Sequence, residues 1–142
     1  MNYTLITGAT GGLGGEFCRQ LVVTDNLFLT GRNGEKLNAL KCELLKINPD
    51  ANIEVFAADA TDEEDRKKLF RYADEKGMKF SGLMNVAGVD TQKAFIKYTQ
   101  EKLVFQIRVN VESTLSVTRY VLDHRAEDLK ILTVGSMSGT TP

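Results

Sequence analysis

Short apolar runs alternate along this chain with segments whose apolar residues recur at helical spacing, and this alternation limits the possible folds more than any other feature. The apolar runs cover residues 3–7, 27–30, 53–58, 82–87 and 130–134. A helical segment separates each run from the next, and strands joined in this way form βαβ units with right-handed crossovers. The sequence therefore predicts an α/β fold: a doubly wound, parallel sheet of five strands with flanking helices.

Apolar residues spaced three or four positions apart mark one face of three of the helices. These stripes are Leu13, Phe17 and Leu21 in the first helix, Leu37, Leu40, Leu44 and Ile47 in the second, and Leu103, Ile107, Val111 and Leu115 in the last. Pro49 ends the second helix. The charged third helix follows Thr-Asp-Glu-Glu at 61–64, which has the form of a capping box, and ends at Gly77.

The composition of the 142 residues, with 42% hydrophobic and 26% charged side chains, is that of one globular domain covering residues 1–142. Eighteen basic and 19 acidic residues, with no basic cluster interleaved with aromatic residues, argue against a nucleic-acid partner. The sequence shows no membrane span and no signal peptide, so we expect a cytoplasmic protein. Cys18 and Cys42 are far apart, and only His124 could join them at a metal; we expect no metal site and two reduced cysteines in or near the core.

Five glycines crowd residues 7–15, Thr-Gly-Ala-Thr-Gly-Gly-Leu-Gly-Gly, directly between the first strand and the first helix. Glycines let the backbone turn tightly and approach a pyrophosphate, and the amino terminus of a helix attracts the phosphate charge. The spacing is neither Gly-x-Gly-x-x-Gly nor that of a nucleoside triphosphate loop. A glycine-rich turn without a ligand is the alternative, but such a turn needs only one or two glycines, and we favour a dinucleotide site.

At this point the sequence resembles the short-chain dehydrogenases/reductases. Thr7, Gly8, Gly12 and Gly14 match their Thr-Gly-x-x-x-Gly-x-Gly motif, although Gly8, Gly11 and Gly14 also fit the extended, epimerase-like branch. The later motifs favour the classical branch. Asp59-Ala-Thr-Asp resembles its Asp-Val-Thr-Asp, Asn85-Val-Ala-Gly resembles its Asn-Asn-Ala-Gly, and Asn110 and Ser136 match a structural-catalytic asparagine and a catalytic serine. Val86 and Ser113 depart from the family pattern, which has asparagine and glycine at these positions.

The resemblance implies a Rossmann-like sheet with strand order 3-2-1-4-5 and a nicotinamide cofactor at the carboxyl ends of the strands. The implied cofactor-binding residues are Thr7, Gly8, Gly11, Gly12, Leu13, Gly14, Arg32, Asp59, Ala60, Asn85, Ala87 and Gly88. Taken singly, Asn85 could merely cap a strand end, Asp59 could cap the next helix, and Asn110 could satisfy its hydrogen bonds within its helix. Their arrangement at successive strand ends favours the cofactor site.

Arg32 bears on the choice of cofactor. An acidic residue about 20 positions beyond the glycines would bind the ribose 2′-hydroxyl of NAD, whereas an arginine accommodates the 2′-phosphate of NADP. Here Gly31 stands where the acid would be, and Arg32 follows it. A guanidinium can pair with a phosphate through two hydrogen bonds, so we predict a preference for NADP(H) over NAD(H). The alternative is that Arg32 is a solvated surface residue.

The resemblance implies that Ser136 donates a hydrogen bond to the substrate carbonyl. In the family a tyrosine, assisted by a lysine, then exchanges the proton. That Tyr-x-x-x-Lys motif lies a dozen or so residues beyond the serine, and the sequence given ends at Pro142. Two such strings do occur, Tyr72 to Lys76 and Tyr98 to Lys102, but both precede Ser136, and we expect neither to be catalytic.

We therefore expect a chain that is truncated before the Tyr-x-x-x-Lys motif and that lacks the C-terminal part of the fold. It should leave residues 130–134 as an exposed sheet edge and reduce no carbonyl by itself. The full-length form is expected to be a homo-oligomer with a small-molecule carbonyl or alcohol as substrate. The alternative is a non-catalytic module that binds NADP(H) or senses its redox state, with Ser136 merely closing a turn.

Overall fold

The fold is a five-stranded parallel sheet with the order β3-β2-β1-β4-β5, as predicted. A computed structural model of the chain describes residues 1–88 and 94–136. The strands are β1 Asn2–Ile6, β2 Leu27–Gly31, β3 Ile53–Ala57, β4 Lys79–Asn85 and β5 Arg125–Thr133. The order reverses between β1 and β4, where the crossovers change direction, and a ligand crevice is expected at such a point.

The helices of the described residues connect consecutive strands. They are α1 Gly12–Leu21, α2 Gly34–Ile47, α3 Glu63–Glu75, a 3-10 turn Phe95–Lys97, α4 Gln100–Ile107 and α5 Ser113–Asp123. One turn of π-helix, Arg108–Glu112, joins α4 directly to α5 and makes one long helix from them. In the part of the chain that the structure describes, no helix has the length and apolar character needed to cross a membrane.

The core has two halves, one on each face of the sheet. Successive strand residues point to opposite faces, so Leu5 packs with α3 and α5 while Ile6 packs with α1 and α2. Phe28 joins the first half, and its neighbours Leu27 and Leu29 join the second. Burial on both faces explains why β2 begins with the continuous apolar run Leu27–Leu29 and does not alternate with polar residues.

The buried face of α1 differs from its apolar stripe. Leu13 is 51% exposed, whereas Gly14 and Cys18 are buried. An added Cβ on Gly14 would lie 2.0 Å from the carbonyl oxygen of Gly8, so this helix packs against the glycine turn through residues that have no side chain. Cys18 lies in the core as predicted, but the expectation for Cys42 was wrong, because it is exposed on α2.

The long helix also buries a face other than the expected one. Ile107, Val111 and Leu115 are 59%, 50% and 66% exposed. The buried residues of this helix are Val109, Ser113, Val117 and Val121. This second stripe, offset by two positions, contains small β-branched residues and a serine, and it packs against the sheet beside β4 and α3. The first stripe is exposed, and so is most of the edge strand β5.

The start of α3 differs from the predicted capping box. The N-cap is Asp62, whose Oδ1 accepts a hydrogen bond from the amide of Glu64 at 3.0 Å. Thr61 instead donates its hydroxyl and its amide to Asp59. Asp59 and Asp62 thereby accept the local hydrogen bonds, and the helix begins one residue later than the box predicted. Its end agrees with the prediction, since Gly77 adopts a left-handed φ of 63° just beyond it.

Candidate functional site

A cavity of about 410 Å³ opens at the carboxyl ends of the first four strands. This volume is in the range of small-molecule sites. The loop after each strand contributes to its wall, and one side is formed by the long helix. The lining residues are Thr7, Gly8, Thr10, Gly11, Gly12, Leu13, Gly14, Thr30, Gly31, Arg32, Ala58, Asp59, Ala60, Thr61, Val86, Ala87, Gly88, Phe105 and Val109. This set includes all the cofactor-binding residues implied by the sequence except Asn85.

The glycine turn forms the floor of the cavity, and its shape depends on two close backbone contacts. Gly8 has a φ of 61°, and an added Cβ there would lie 2.8 Å from the amide nitrogen of Ala87. Gly14 is closed off by Gly8, whereas a Cβ on Gly12 would have nothing within 4 Å. Gly8 and Gly14 are therefore required by the packing of the chain itself, and Gly12 borders open space within the cavity.

The amino terminus of α1 is directed at this space. The helix begins at Gly12, and no side chain caps it, because its N-cap residue is Gly11. The first amides of a helix have no acceptor within the helix, and together with the helix dipole they favour an anion. The arrangement suits a phosphate group placed over Gly11, Gly12 and Leu13.

Thr7 fastens the glycine turn to the loop after β4. Its Oγ1 accepts hydrogen bonds from the amides of Val86 at 3.1 Å and Ala87 at 3.2 Å, and it donates to the carbonyl of Met84 at 3.4 Å. The hydroxyl of the buried residue Thr7 thus joins the two cavity walls formed by the glycine turn and by the loop after β4. Val86 takes part through its backbone, so the asparagine that the family pattern has here is not needed for this contact.

Arg32 and Asp59 face each other across the ends of β2 and β3. The hydrogen bonds from Thr61 hold the pKa of Asp59 below its ordinary value, and the charge of Arg32 adds to this effect against the opposing influence of burial. Arg32 is exposed and lines the cavity, and among the described residues it has no hydrogen-bond or ion-pair partner. This end of the cavity therefore has the positive charge of Arg32 and the carboxylate of Asp59 in its wall.

Asn85 has a different position from the other predicted residues. It is 3% exposed, and its Nδ2 donates to the hydroxyls of Thr118 and Thr133, at 3.1 and 3.2 Å. Its Oδ1 is buried without a hydrogen bond to any described residue. Asn85 ties β4 to α5 and β5 and does not line the cavity.

Asn110 lies in the π turn, beside the cavity wall. An added Cβ on Gly88 would be 3.3 Å from its Oδ1. In the π turn the amide of Ser113 donates to the carbonyl of Arg108. In an α-helix the same amide would donate to the carbonyl of Val109, which is therefore left without its usual donor. The Ser113 hydroxyl donates to that carbonyl at 2.6 Å. The serine that replaces the family glycine thus stabilises the turn that carries Asn110.

Ser136 follows the end of β5 and is exposed. Neither Ser136 nor Asn110 lines the cavity itself. The tyrosines of the two Tyr-x-x-x-Lys strings do not line it either. Tyr72 donates to Glu54 near the start of β3, at the opposite end of the strand from the cavity, and burial followed by this hydrogen bond raises its pKa to about 12. Such a phenol is a poor acid at neutral pH.

Sequence reasoning missed several residues that shape the site. Phe105 and Val109, one helical turn apart, form the apolar wall, and they are not in the stripe that the periodicity indicated. Arg66 is 5% exposed and donates to the carbonyl of Ala60 at 2.7 Å and to Glu112 at 2.9 Å. No pattern distinguishes it from the other basic residues of the charged helix α3.

Comparison with known proteins agrees with this geometry. The family model described as "short chain dehydrogenase" matches residues 2–142. A very-long-chain 3-oxoacyl-CoA reductase of Neurospora crassa is 32% identical over 147 residues, which cover 99% of this chain and 44% of the relative. An acetoacetyl-CoA reductase of Allochromatium vinosum is 28% identical over 138 residues, covering 95% of this chain and 56% of the relative.

Solved structures show the same similarity. The short-chain dehydrogenase from Sphingobium yanoikuyae in complex with NADPH superimposes with a TM-score of 0.87 at 25% identity, over 100% of this chain and 56% of that one. One from Brucella melitensis gives a TM-score of 0.87 at 26% identity, over 98% and 58%. The chain thus spans about half the length of the proteins it matches. With its glycine turn, its strand order and these matches, it belongs to the short-chain dehydrogenase/reductase family.

Proposed function

We propose that the cavity binds NADP(H) and that the chain forms the cofactor-binding part of an oxidoreductase that transfers a hydride between nicotinamide and a carbonyl or alcohol. One observation carries the proposal: residues from four separate loops, chosen from the sequence as cofactor ligands, surround a single cavity. The amides at the start of α1 would take the pyrophosphate, and the Asp59–Ala60 loop would bound the adenine. The Sphingobium relative, whose structure was solved in complex with NADPH, supports this choice of ligand.

Arg32 carries the proposed preference for the phosphorylated cofactor. It directly follows Gly31, which occupies the position at the end of β2 where an acidic residue would repel a 2′-phosphate. Titration of the purified chain with NADPH and NADH, followed by nucleotide fluorescence, should give tighter binding of NADPH. Arg32→Ala should remove most of this preference, and Arg119→Ala, an exposed arginine on α5, should retain it. Equal affinities in the unaltered chain, or an unchanged ratio in Arg32→Ala, would contradict the assignment.

The proposed chemistry places Asn110 and Ser136 at the substrate. When bound, the cofactor would supply or accept the hydride. Ser136 would donate a hydrogen bond to the carbonyl oxygen, and Asn110 would support the site from the π turn beside Gly88. The named activities of the relatives suggest 3-oxoacyl thioesters as the first carbonyl substrates to test.

We further propose that the 142-residue chain binds the cofactor without turning over substrate. No Tyr-x-x-x-Lys follows Ser136 in its sequence, and the new alkoxide needs a proton donor there. Acetoacetyl-CoA and NADPH incubated with the chain should show no oxidation of NADPH. Robust turnover would contradict this. Cofactor binding without turnover, in a natural protein whose sequence also lacks the motif, would favour the redox-sensing module instead.

A further inference from the structure

We infer that Arg66 is a positioning residue that couples the adenosine end of the cavity to the π turn carrying Asn110. The inference rests on the proposed function for the identity of the ligand, but the coupling itself depends only on contacts within the chain. Arg66 lies on the inner side of α3, between the loop that follows β3 and the long helix. It does not line the cavity and acts through the residues that do.

The first arm of Arg66 fixes the cavity wall. Its Nη1 donates to the carbonyl oxygen of Ala60 at 2.7 Å, and both Ala60 and Thr61 line the cavity. The peptide between these two residues is therefore oriented from behind by a charged donor, and such bonds are stronger than those between neutral groups. If this donor were lost, the Ala60 carbonyl would be free to rotate, and the wall against which the adenosine would lie would lose its fixed shape.

The second arm reaches the long helix. Nη2 of Arg66 donates to Oε1 of Glu112 at 2.9 Å, and Glu112 is the last residue of the π turn. The Ser113 hydroxyl holds the same turn through the Val109 carbonyl at 2.6 Å. Asn110 lies in the middle of the segment that these two contacts enclose. Val109, in that segment, is itself part of the cavity wall.

The burial of Arg66 makes this contact costly to disturb. Its side chain is 7% exposed, its Nε has no hydrogen bond to any described residue, and its ion-pair partner among them is the 49% exposed Glu112. Truncation of Glu112 would leave Nη2 of a buried guanidinium without its hydrogen-bond acceptor, a change more disruptive than the loss of a surface ion pair. Loss of either partner should therefore disturb both the Ala60 wall and the π turn.

The coupling can be tested by hydrogen exchange in the ligand-free 142-residue chain. Arg66→Met and Glu112→Ala are expected to speed amide exchange by about tenfold both at residues 59–61 and at 108–113. Glu112→Gln, which keeps an acceptor, should restore most of the protection. Val121→Ala, a core change in α5 without a polar contact to either segment, controls for general loss of stability. Two results would overturn the coupling. The first is an amide exchange rate in Arg66→Met that is unchanged in one of the two segments. The second is an equal increase of exchange in Val121→Ala when the two variants have the same Tm.

Binding of 2′,5′-ADP, which represents the adenosine half of NADP, tests the consequence for the site. Arg66→Met and Glu112→Ala should weaken its binding by about tenfold, while Glu112→Gln stays within about twofold of the unaltered chain. If the unaltered chain binds neither 2′,5′-ADP nor NADPH, the proposed function fails, and the exchange experiment still decides the coupling. If it binds both and Arg66→Met binds equally well, the positioning role fails and the proposed function stands.

Discussion

The glycine turn and the π turn border the same cavity, but they are built in opposite ways. At the glycine turn, backbone packs on backbone: Gly8 and Gly14 leave no room for a side chain, and the residue type at each position is dictated by contact. At the π turn, side chains do this work: the Ser113 hydroxyl donates to the Val109 carbonyl, and Arg66 holds the side chain of Glu112. Backbone packing restricts the residue type at a position and can therefore be recognised in a sequence, whereas polar contacts between residues far apart in the chain cannot.

The largest effect is expected where the glycine turn is tightest. In Gly14→Ala the new Cβ would lie 2.0 Å from the carbonyl oxygen of Gly8, which is backbone and cannot move aside cheaply. We expect a loss of about 3 kcal/mol or more in the free energy of unfolding, measured by urea denaturation. Gly12→Ala is the matched control, because nothing lies within 4 Å of its added Cβ. It should fold normally and lose affinity for NADPH, since its methyl group enters the cavity.

Thr7 provides the next test, since its hydroxyl joins the glycine turn to the loop after β4. Thr7→Val would leave the amides of Val86 and Ala87 without their acceptor, at a cost of about 2–3 kcal/mol in unfolding free energy. Thr7→Ser keeps the hydroxyl and should recover most of the loss, so that the pair separates the hydrogen bonds from the shape of the side chain. Equal stability of the valine and serine variants would show that this contact does not hold the two loops together.

A smaller effect is expected at the π turn. Ser113→Ala removes the donor to the Val109 carbonyl, and we expect a loss of about 1 kcal/mol in unfolding free energy, with faster amide exchange confined to 108–113. Ser116→Ala, on the same helix, is the control and should change neither. If Ser113→Ala is fully stable and equally protected, the π turn does not depend on this side chain, and the contrast with the glycine turn weakens.

The same contrast explains how far the sequence could be interpreted. The five strands and the glycine turn were predicted because burial on both faces and close backbone contact restrict residue types strongly, and the strand order followed from the family resemblance. The buried face of the long helix was not, because two apolar stripes compete there and only packing against β4 and α3 decides between them. Arg66 could not be singled out in a helix rich in charge, since its ion-pair partner Glu112 lies 46 positions away along the chain.

Asp59 carries the smallest predicted effect, on the dependence of stability on pH. Its pKa is lower in the folded chain than its ordinary value, chiefly because Thr61 donates to the ionised carboxylate. The unfolded chain therefore binds the proton more readily, and the stabilisation from Asp59 is complete above about pH 4 and declines as the pH falls through the lower, folded pKa.

Thermal melts of the chain and of Asp59→Asn between about pH 3 and 7 test this dependence. Their Tm values should differ by roughly one or two degrees at neutral pH, a small difference because solvent screens this partly exposed group, and they should converge in acid. Asp50→Asn, on the exposed loop after α2, is the control and should run parallel to the unaltered chain throughout. If the difference in Tm between the unaltered chain and Asp59→Asn persisted unchanged into acid, the contribution of Asp59 to stability would come from its shape and not from its charge. The charge of Arg32 would then not contribute to stability through Asp59.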